Sequence, residues 1–256
     1  MRIPSTKIVF LLAVLLASPY ARAQAVKVAA AADLKFAMTE LAAQFEKQSG
    51  AKLDVTYGSS GNFLSQIQNG APFDLFFSAD SEYPKILEAA GLTEPGSLRE
   101  YAVGHIVIWT PSDSQVNVAK DGWTSLQDQR VKKIAIANPE HAPYGRAALA
   151  AMKKAAIYEQ LKDKLVFGEN ISQAAEFVQS GNSQVGIVAL SLALSPAMRN
   201  GNRWEIPADS YPPIKQAVVL LKASKNINAA RHFLDFVSGP QGQEILQRFG
   251  FTVLAS

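Results

Sequence analysis

The segment Val55-Thr56-Tyr57-Gly58-Ser59-Ser60-Gly61-Asn62 joins a pattern typical of a β-strand to one typical of an α-helix. Apolar and polar residues alternate from Leu53 to Tyr57, and Phe63 and Ile67 then follow at helical spacing. A helix that begins directly after a tight turn has free backbone N–H groups at its N-terminus, where its dipole favours negative charge. The segment therefore predicts either an anion site or an ordinary serine-capped helix start.

Junctions of the same kind occur three more times along the chain. The first follows a predicted strand at 26–30 and contains Ala31-Ala32-Asp33, with Asp33 at the N-cap position of the next helix. The others follow predicted strands at 134–137 and 165–167. Strands that alternate with helices in this way predict mixed, mainly parallel sheets with helices on both faces.

Two apolar strands, predicted at 102–109 and 217–221, interrupt this alternation. Interpreted as crossovers, they predict one lobe of residues 24–103 plus 217–256 and a second lobe of residues 104–216. Ligands bind beyond the carboxyl ends of strands in open parallel sheets, so two facing sheets place all four junctions around one cleft. The predicted fold is therefore α/β, the type II periplasmic binding protein fold, with two hinged lobes and a ligand in the inter-lobe cleft.

The first 23 residues have the pattern of a signal peptide. Arg2 and Lys7 precede an apolar run at 8–17, and Ala21-Arg22-Ala23 forms a small-x-small cleavage site. We expect an exported, periplasmic protein that begins at residue 24 after cleavage. Without Arg2, Lys7 and Arg22, 22 of the 25 basic residues remain against 22 acidic ones, so the mature chain is nearly neutral. A nucleic-acid partner is therefore not expected.

Six motifs follow one another along the chain and together suggest a family. They are Ala30-Ala31-Ala32-Asp33-Leu34, Gly58-Ser59-Ser60-Gly61, the segment from Gly70 to Asp80, the segment from Asn138 to Gly145, Gly186-Ile187-Val188-Ala189, and the ending from Gly239-Pro240 to Gly250-Phe251. In order and spacing they resemble the molybdate-binding proteins of bacterial ABC importers, over essentially the whole mature chain.

The resemblance implies that a tetrahedral oxyanion, molybdate or tungstate, is held between two lobes and passed to the membrane permease of an ABC importer. It implies a monomer that needs no cofactor and no metal beyond the oxyanion. It places the ligand contacts at Ala32, Asp33, Ser60, Tyr144 and Ile171. Ser60 would contribute its hydroxyl and its N–H, whereas Tyr144 and Ile171 would contribute chiefly N–H groups.

Two positions depart from the family's pattern. The family usually has Ser or Thr-Asn at the first junction, where this chain has Ala32-Asp33. Another common pattern has Tyr where this chain has Ala189, and this chain instead resembles the subgroup with Tyr in the Pro-Tyr-Gly loop, at Tyr144. Three interpretations of Asp33 stay open: it caps its own helix, it accepts a hydrogen bond from a protonated oxyanion, or it is itself protonated.

Other classes of function find less support in the sequence. The nucleophile motif G-x-S-x-G is missing and the three His residues are far apart, so no enzyme and no catalytic residue is predicted. His141 falls in the third junction, where a loop role is favoured over ligand contact. The alternative is a clamp of the same fold for hydrogen phosphate or ferric iron. Iron prefers several anionic or phenolic ligands, and only Asp33 and Tyr144 offer them here.

Overall fold

The computed structural model describes residues 25–254, so the predicted signal peptide lies outside the described residues. No helix between residues 25 and 254 combines the length and apolar character needed to cross a membrane. The strands in this range are β1 Val26–Ala31, β2 Leu53–Gly58, β3 Leu75–Ser78, β4 Arg99–Gly104, β5 Ile106–Thr110, β6 Ile134–Ala137, β7 Leu165–Gly168, β8 Val185–Ala189, β9 Asn202–Glu205, β10 Ile214–Leu220 and β11 Thr252–Val253.

Several of the helices come after a strand with only a short turn or loop between them. In the described range they are α1 Lys35–Ser49, α2 Ser60–Gln68, α3 Glu82–Ala89, α4 Val118–Asp121, α5 Pro143–Lys154, α6 Tyr158–Leu161, α7 Ile171–Gln179, α8 Leu190–Ala193, α9 Ile227–Ser238 and α10 Pro240–Arg248. A 3₁₀ turn, Ala32–Leu34, precedes α1 and separates it from β1.

The strands form two mixed sheets, as the sequence predicts. The first has the order β11-β4-β10-β3-β1-β2 and the second the order β7-β6-β8-β5-β9. The triplets β2-β1-β3 and β7-β6-β8 pair in parallel, whereas β10 and β5 pair antiparallel to their neighbours. We call each sheet, together with the helices packed on it, a lobe. The boundaries at residues 103 and 216 stay a prediction.

Helices cover both faces of the first sheet because its strands present apolar side chains alternately to each side. Val28 and Ala30 of β1 pack with α1, α9 and α10, whereas Ala29 packs with α2 and α3. In the second lobe, β6 and β8 are buried along their whole length and lie against α5 and α7. The parallel strands are therefore firmly held, and the helices that follow them begin at fixed positions.

The prediction of one strand over 102–109 is wrong. The segment contains two strands in different sheets: β4 pairs with β10, β5 pairs with β8, and His105 lies between them. The residues from 102 to 104 and from 106 to 109 are all apolar or glycine, and periodicity does not show where a chain passes from one sheet to the next. β10 also begins at Ile214, earlier than predicted, and Ile214 pairs with Gly104 in the first sheet.

Candidate functional site

Four helical segments begin at one small cavity between the two lobes. The cavity is lined by residues of all four junctions together with Ala79. The first N–H groups of a helix have no partner within that helix, so each segment offers donors at this point. The structure places all five predicted contact residues on the cavity wall: Ala32, Asp33, Ser60, Tyr144 and Ile171.

Two serine hydroxyls lie at the start of α2. Ser60 Oγ accepts a hydrogen bond from the Ala79 N–H at 2.9 Å, which leaves the hydroxyl hydrogen able to donate. Ser59 Oγ is buried and, within residues 25–254, has no hydrogen-bond partner. A buried hydroxyl without a partner is costly, so Ser59 is a further candidate donor to a ligand, beside the five contact residues that the sequence predicts.

Asp33 is the only acidic residue on the cavity wall among the described residues, and it is 1% exposed. Its Oδ2 accepts hydrogen bonds from the Tyr144 hydroxyl and from Gln216 Nε2, both at 2.9 Å. Its Oδ1 is buried and has no partner within the part of the chain that the structure describes. Burial raises the pKa of Asp33 to about 7, against the lowering effect of the Tyr144 hydrogen bond.

The interpretation that Asp33 caps its own helix is wrong. The 3₁₀ turn begins at Ala32, so Asp33 is already its second residue, and neither this turn nor α1 has a side-chain cap hydrogen bond. The carboxyl is engaged elsewhere, by Tyr144 and Gln216. Helical periodicity that starts at Leu34 does not reveal a preceding 3₁₀ turn, which is why the position looked like an N-cap.

Gln216 and Tyr101 complete the polar cluster behind the cavity, and sequence reasoning missed both. Gln216 is fully buried in β10; its Nε2 also lies 3.3 Å from the Tyr144 hydroxyl, and its Oε1 accepts a hydrogen bond from Tyr101 at 3.3 Å. The available signal was an amide on the same face of the strand as Ile214 and Val218, because a buried amide requires partners. The predicted strand began one residue too late to include it.

The two lobes are in direct contact around the cavity, so the structure is a closed clamp. Ser191 Oγ donates to the Asp33 carbonyl at 2.8 Å, and Ser172 Oγ donates to the Ala32 carbonyl at 3.2 Å. At the rim, Arg146 of α5 forms an ion pair with Asp80 at 2.5 Å and a hydrogen bond to the Tyr83 hydroxyl at 2.9 Å.

His141 contributes to this contact through its backbone. Its carbonyl accepts the Gly61 N–H at 3.0 Å, and its ring Nε2 lies 2.9 Å from the Glu169 carbonyl. His141 is not among the residues that line the cavity. A Cβ on Gly61 would lie 2.7 Å from the His141 carbonyl oxygen, so this approach of the lobes requires glycine.

The described residues offer little to a bound cation. Between residues 25 and 254, no group of three or more His, Cys, Asp and Glu side chains is placed to hold a metal ion. Asp33 and Tyr144 do converge, but each satisfies the other by a hydrogen bond, and burial beside Asp33 raises the pKa of the Tyr144 phenol well above its ordinary value. The cavity therefore offers neutral donors, which suit an anion.

Comparison with known proteins agrees with this geometry. A family model described as bacterial extracellular solute-binding protein matches residues 26–252. The molybdate-binding protein ModA of Azotobacter vinelandii is 40% identical over 232 residues, which cover 90% of this chain and 91% of that protein. ModA of Rhodobacter capsulatus is 40% identical over 223 residues, 87% of this chain and 86% of that protein. The solved structure of the periplasmic molybdate-binding protein of Azotobacter vinelandii has a TM-score of 0.84 at 32% identity and covers 90% of this chain and 100% of that one.

Proposed function

The chain belongs to the bacterial extracellular solute-binding proteins, among the relatives of the molybdate-binding protein ModA, and we propose that it captures molybdate in its inter-lobe cleft. It acts in the periplasm, where it delivers the oxyanion to the membrane permease of an ABC importer. It is a binding protein and not an enzyme. We further propose that residues 1–23 are removed as a signal peptide and that the mature protein acts as a monomer.

One observation carries this proposal: four helical N-termini and two serine hydroxyls meet at one cavity, and none of the described residues on its wall has a cationic side chain. A tetrahedral oxyanion presents acceptor oxygens in four directions, which this arrangement of neutral donors matches. The partial positive charge at each helix N-terminus also favours the anion. A cationic or apolar ligand would leave the donors without partners.

We assign the ligand contacts by the groups that are free to donate. The backbone N–H groups of Ala32, Asp33, Tyr144 and Ile171 face the oxyanion, and Ser60 adds its N–H and its hydroxyl. The unpartnered hydroxyl of Ser59 supplies a further donor. Tungstate has the same tetrahedral shape and charge as molybdate, so we propose that it binds to the same groups.

Selection against sulfate follows from the rigidity of these donors. Helix starts held by buried strands do not move to follow a smaller anion, so some hydrogen bonds to sulfate stay stretched. An unmade hydrogen bond to a charged group costs roughly 1.5–3 kcal/mol. Two such losses separate molybdate from sulfate by about a hundredfold or more.

Isothermal titration of the mature protein with molybdate, tungstate, sulfate, hydrogen phosphate and ferric citrate tests the proposal. We expect molybdate and tungstate to bind most tightly. Ser60→Ala should weaken molybdate binding by about 1.5–3 kcal/mol, because it removes a donor to a charged ligand. Ser65→Ala is the matched control, since Ser65 lies exposed on the same helix.

Two outcomes of these titrations would contradict the proposal. Tighter binding of ferric citrate or hydrogen phosphate than of molybdate would overturn the ligand assignment. Equal molybdate affinities for wild type and Ser60→Ala, with unchanged melting temperatures, would remove α2 from the site.

A further inference from the structure

We propose that Asp33 meets the oxyanion as a neutral carboxylic acid, with the proton on Oδ1, so that each dianion is captured together with one proton. This inference rests on the function proposed above and concerns the same cavity. It explains how a carboxyl can stand where relatives of this type were expected to carry Ser or Asn.

The hydrogen bonds around Asp33 determine which oxygen carries the proton. Oδ2 accepts from two donors, the Tyr144 hydroxyl and Gln216 Nε2. Gln216 is oriented with its Nε2 toward Asp33, and its Oε1 accepts the hydrogen bond of the Tyr101 hydroxyl at 3.3 Å. With both neighbours donating to it, Oδ2 takes the role of the carbonyl oxygen of the acid. Oδ1, buried and without a partner within residues 25–254, is left to hold the hydrogen and to donate it.

No cation faces Asp33 from the elements packed around it in the described structure. The facing groups are neutral: Tyr144 on α5, Gln216 on β10, Tyr101 on β4, and the Ser191 hydroxyl of α8 on the Asp33 carbonyl. The phenols of Tyr144 and Tyr101 are both buried, which raises their pKa well above the ordinary value and keeps them uncharged.

A dianion in the cavity makes the ionised form of Asp33 still less favourable. In the closed clamp, burial already raises the pKa of Asp33 to about 7 before any ligand is present, and a second negative charge nearby raises it further. The acid form removes the repulsion and supplies one more hydrogen bond to the ligand. Protonation therefore converts a carboxylate that repels the dianion into a carboxylic acid that donates a hydrogen bond to it.

The consequence is a molybdate affinity that depends on pH. Below about pH 6 the carboxyl is already protonated, and affinity is independent of pH. Above about pH 7 the free protein carries an ionised Asp33, which must bind a proton when molybdate enters. Each pH unit then weakens binding about tenfold, because one proton is taken up per ligand.

Calorimetric titration with molybdate from about pH 6 to about pH 9, in buffers of different ionisation enthalpy, counts these protons. Molybdate is fully ionised over this range, so the protein alone accounts for any uptake. Asp33→Asn is the decisive variant: its amide oxygen accepts from Tyr144 and Gln216 as before, and its NH₂ group replaces the Oδ1 hydrogen. We expect about one proton per ligand at the alkaline end for wild type and a pH-independent affinity for the variant.

A control variant and three contrary outcomes make the test specific. Asp54→Asn neutralises an exposed carboxylate on β2 and should keep the wild-type pH dependence. Binding of molybdate without proton uptake in wild type would overturn this inference alone. Loss of molybdate binding in a folded Asp33→Asn protein would do the same. Failure of wild type and variant to bind molybdate at any pH would instead contradict the proposed function, and the inference with it.

Discussion

Asp33 and Asp74 lie at opposite ends of the first sheet, and both carboxyls are almost fully buried. Asp33 follows β1 at the cleft, whereas Asp74 precedes β3 at the far end. They are 1% and 4% exposed, yet their pKa values move in opposite directions: that of Asp33 rises to about 7 and that of Asp74 falls below its ordinary value. Burial alone therefore does not determine whether an aspartate is charged.

The difference lies in the donors around each carboxyl. Burial raises the pKa of Asp74, but four hydrogen bonds to its oxygens outweigh this effect and lower it. The donors are Ser224 Oγ at 2.7 Å, the Lys27 N–H at 2.7 Å, Asn226 Nδ2 at 3.1 Å and the Lys225 N–H at 3.2 Å. Asp74 is a fully partnered anion that ties two loops to the sheet.

Asp33, by contrast, has one partnered and one unpartnered oxygen. An ionised carboxylate 4 Å from a unit negative charge would cost ~4 kcal/mol at an effective dielectric constant of ~20. The comparison teaches that a missing hydrogen bond, and not an extra one, distinguishes the aspartate at the cleft from the aspartate at the far end of the sheet.

Replacing each aspartate by asparagine tests the contrast between the two carboxyls most directly. Of the two substitutions, Asp74→Asn has the larger expected effect. Each Asp74 oxygen accepts a backbone N–H, from Lys27 on one side and Lys225 on the other, so the amide NH₂ must face one of them. We expect a loss of roughly 3 kcal/mol or more in the free energy of unfolding, measured with urea at neutral pH, because a buried N–H loses a charged partner. A loss below about 1 kcal/mol would mean that these bonds contribute little.

In the ligand-free protein, Asp33→Asn should increase the free energy of unfolding, whereas Asp74→Asn should decrease it. The folded pKa of about 7 exceeds the ordinary value of 3.8, so the stability present at low pH is lost as pH rises through 7. The variant avoids this loss and should be more stable than wild type by roughly 2–4 kcal/mol near pH 8, and about equally stable near pH 4. Urea unfolding at both pH values measures this difference, and equal stability near pH 8 would refute a raised pKa.

Removing one donor from each carboxyl sharpens the comparison with a smaller effect. Tyr144→Phe leaves Asp33 with Gln216 alone and should raise its pKa further, whereas Ser224→Ala should bring the lowered pKa of Asp74 back toward its ordinary value. Each change should cost about 1 kcal/mol of stability. Carbon-13 NMR titration of the two carboxyls follows both pKa values. A pKa shift at the aspartate that has kept all its donors would show that the substitution acts through a wider rearrangement.

The parts of the site that the sequence predicts are those encoded locally. Ser60, Tyr144 and Ile171 lie at or next to helix starts because strand, turn and helix signals follow one another within a few residues. The type of fold follows from repetition of that pattern. Whether these groups bind the ligand is a prediction that the titrations above decide.

The parts that were not predicted depend on distant neighbours. Gln216 meets Asp33 across 183 residues because β10 lies between β4 and β3, and nothing in either local sequence specifies that strand order. The passage between sheets at His105 was missed for a similar reason, since an apolar strand looks the same in either sheet. The hydrogen bonds of Asp33 depend on the first of these facts, and composition does not reveal them.

The contact between Gly61 and His141 has a practical consequence for the unliganded form. Because a Cβ at position 61 would lie 2.7 Å from the His141 carbonyl oxygen, even alanine there would hold the lobes apart by its bulk. The steric clash would prevent only the last step of lobe closure and would leave the interior of each lobe intact. Gly61→Ala would therefore yield a protein whose cleft stays partly open. Such a variant would allow the interaction of the empty carrier with its permease to be studied.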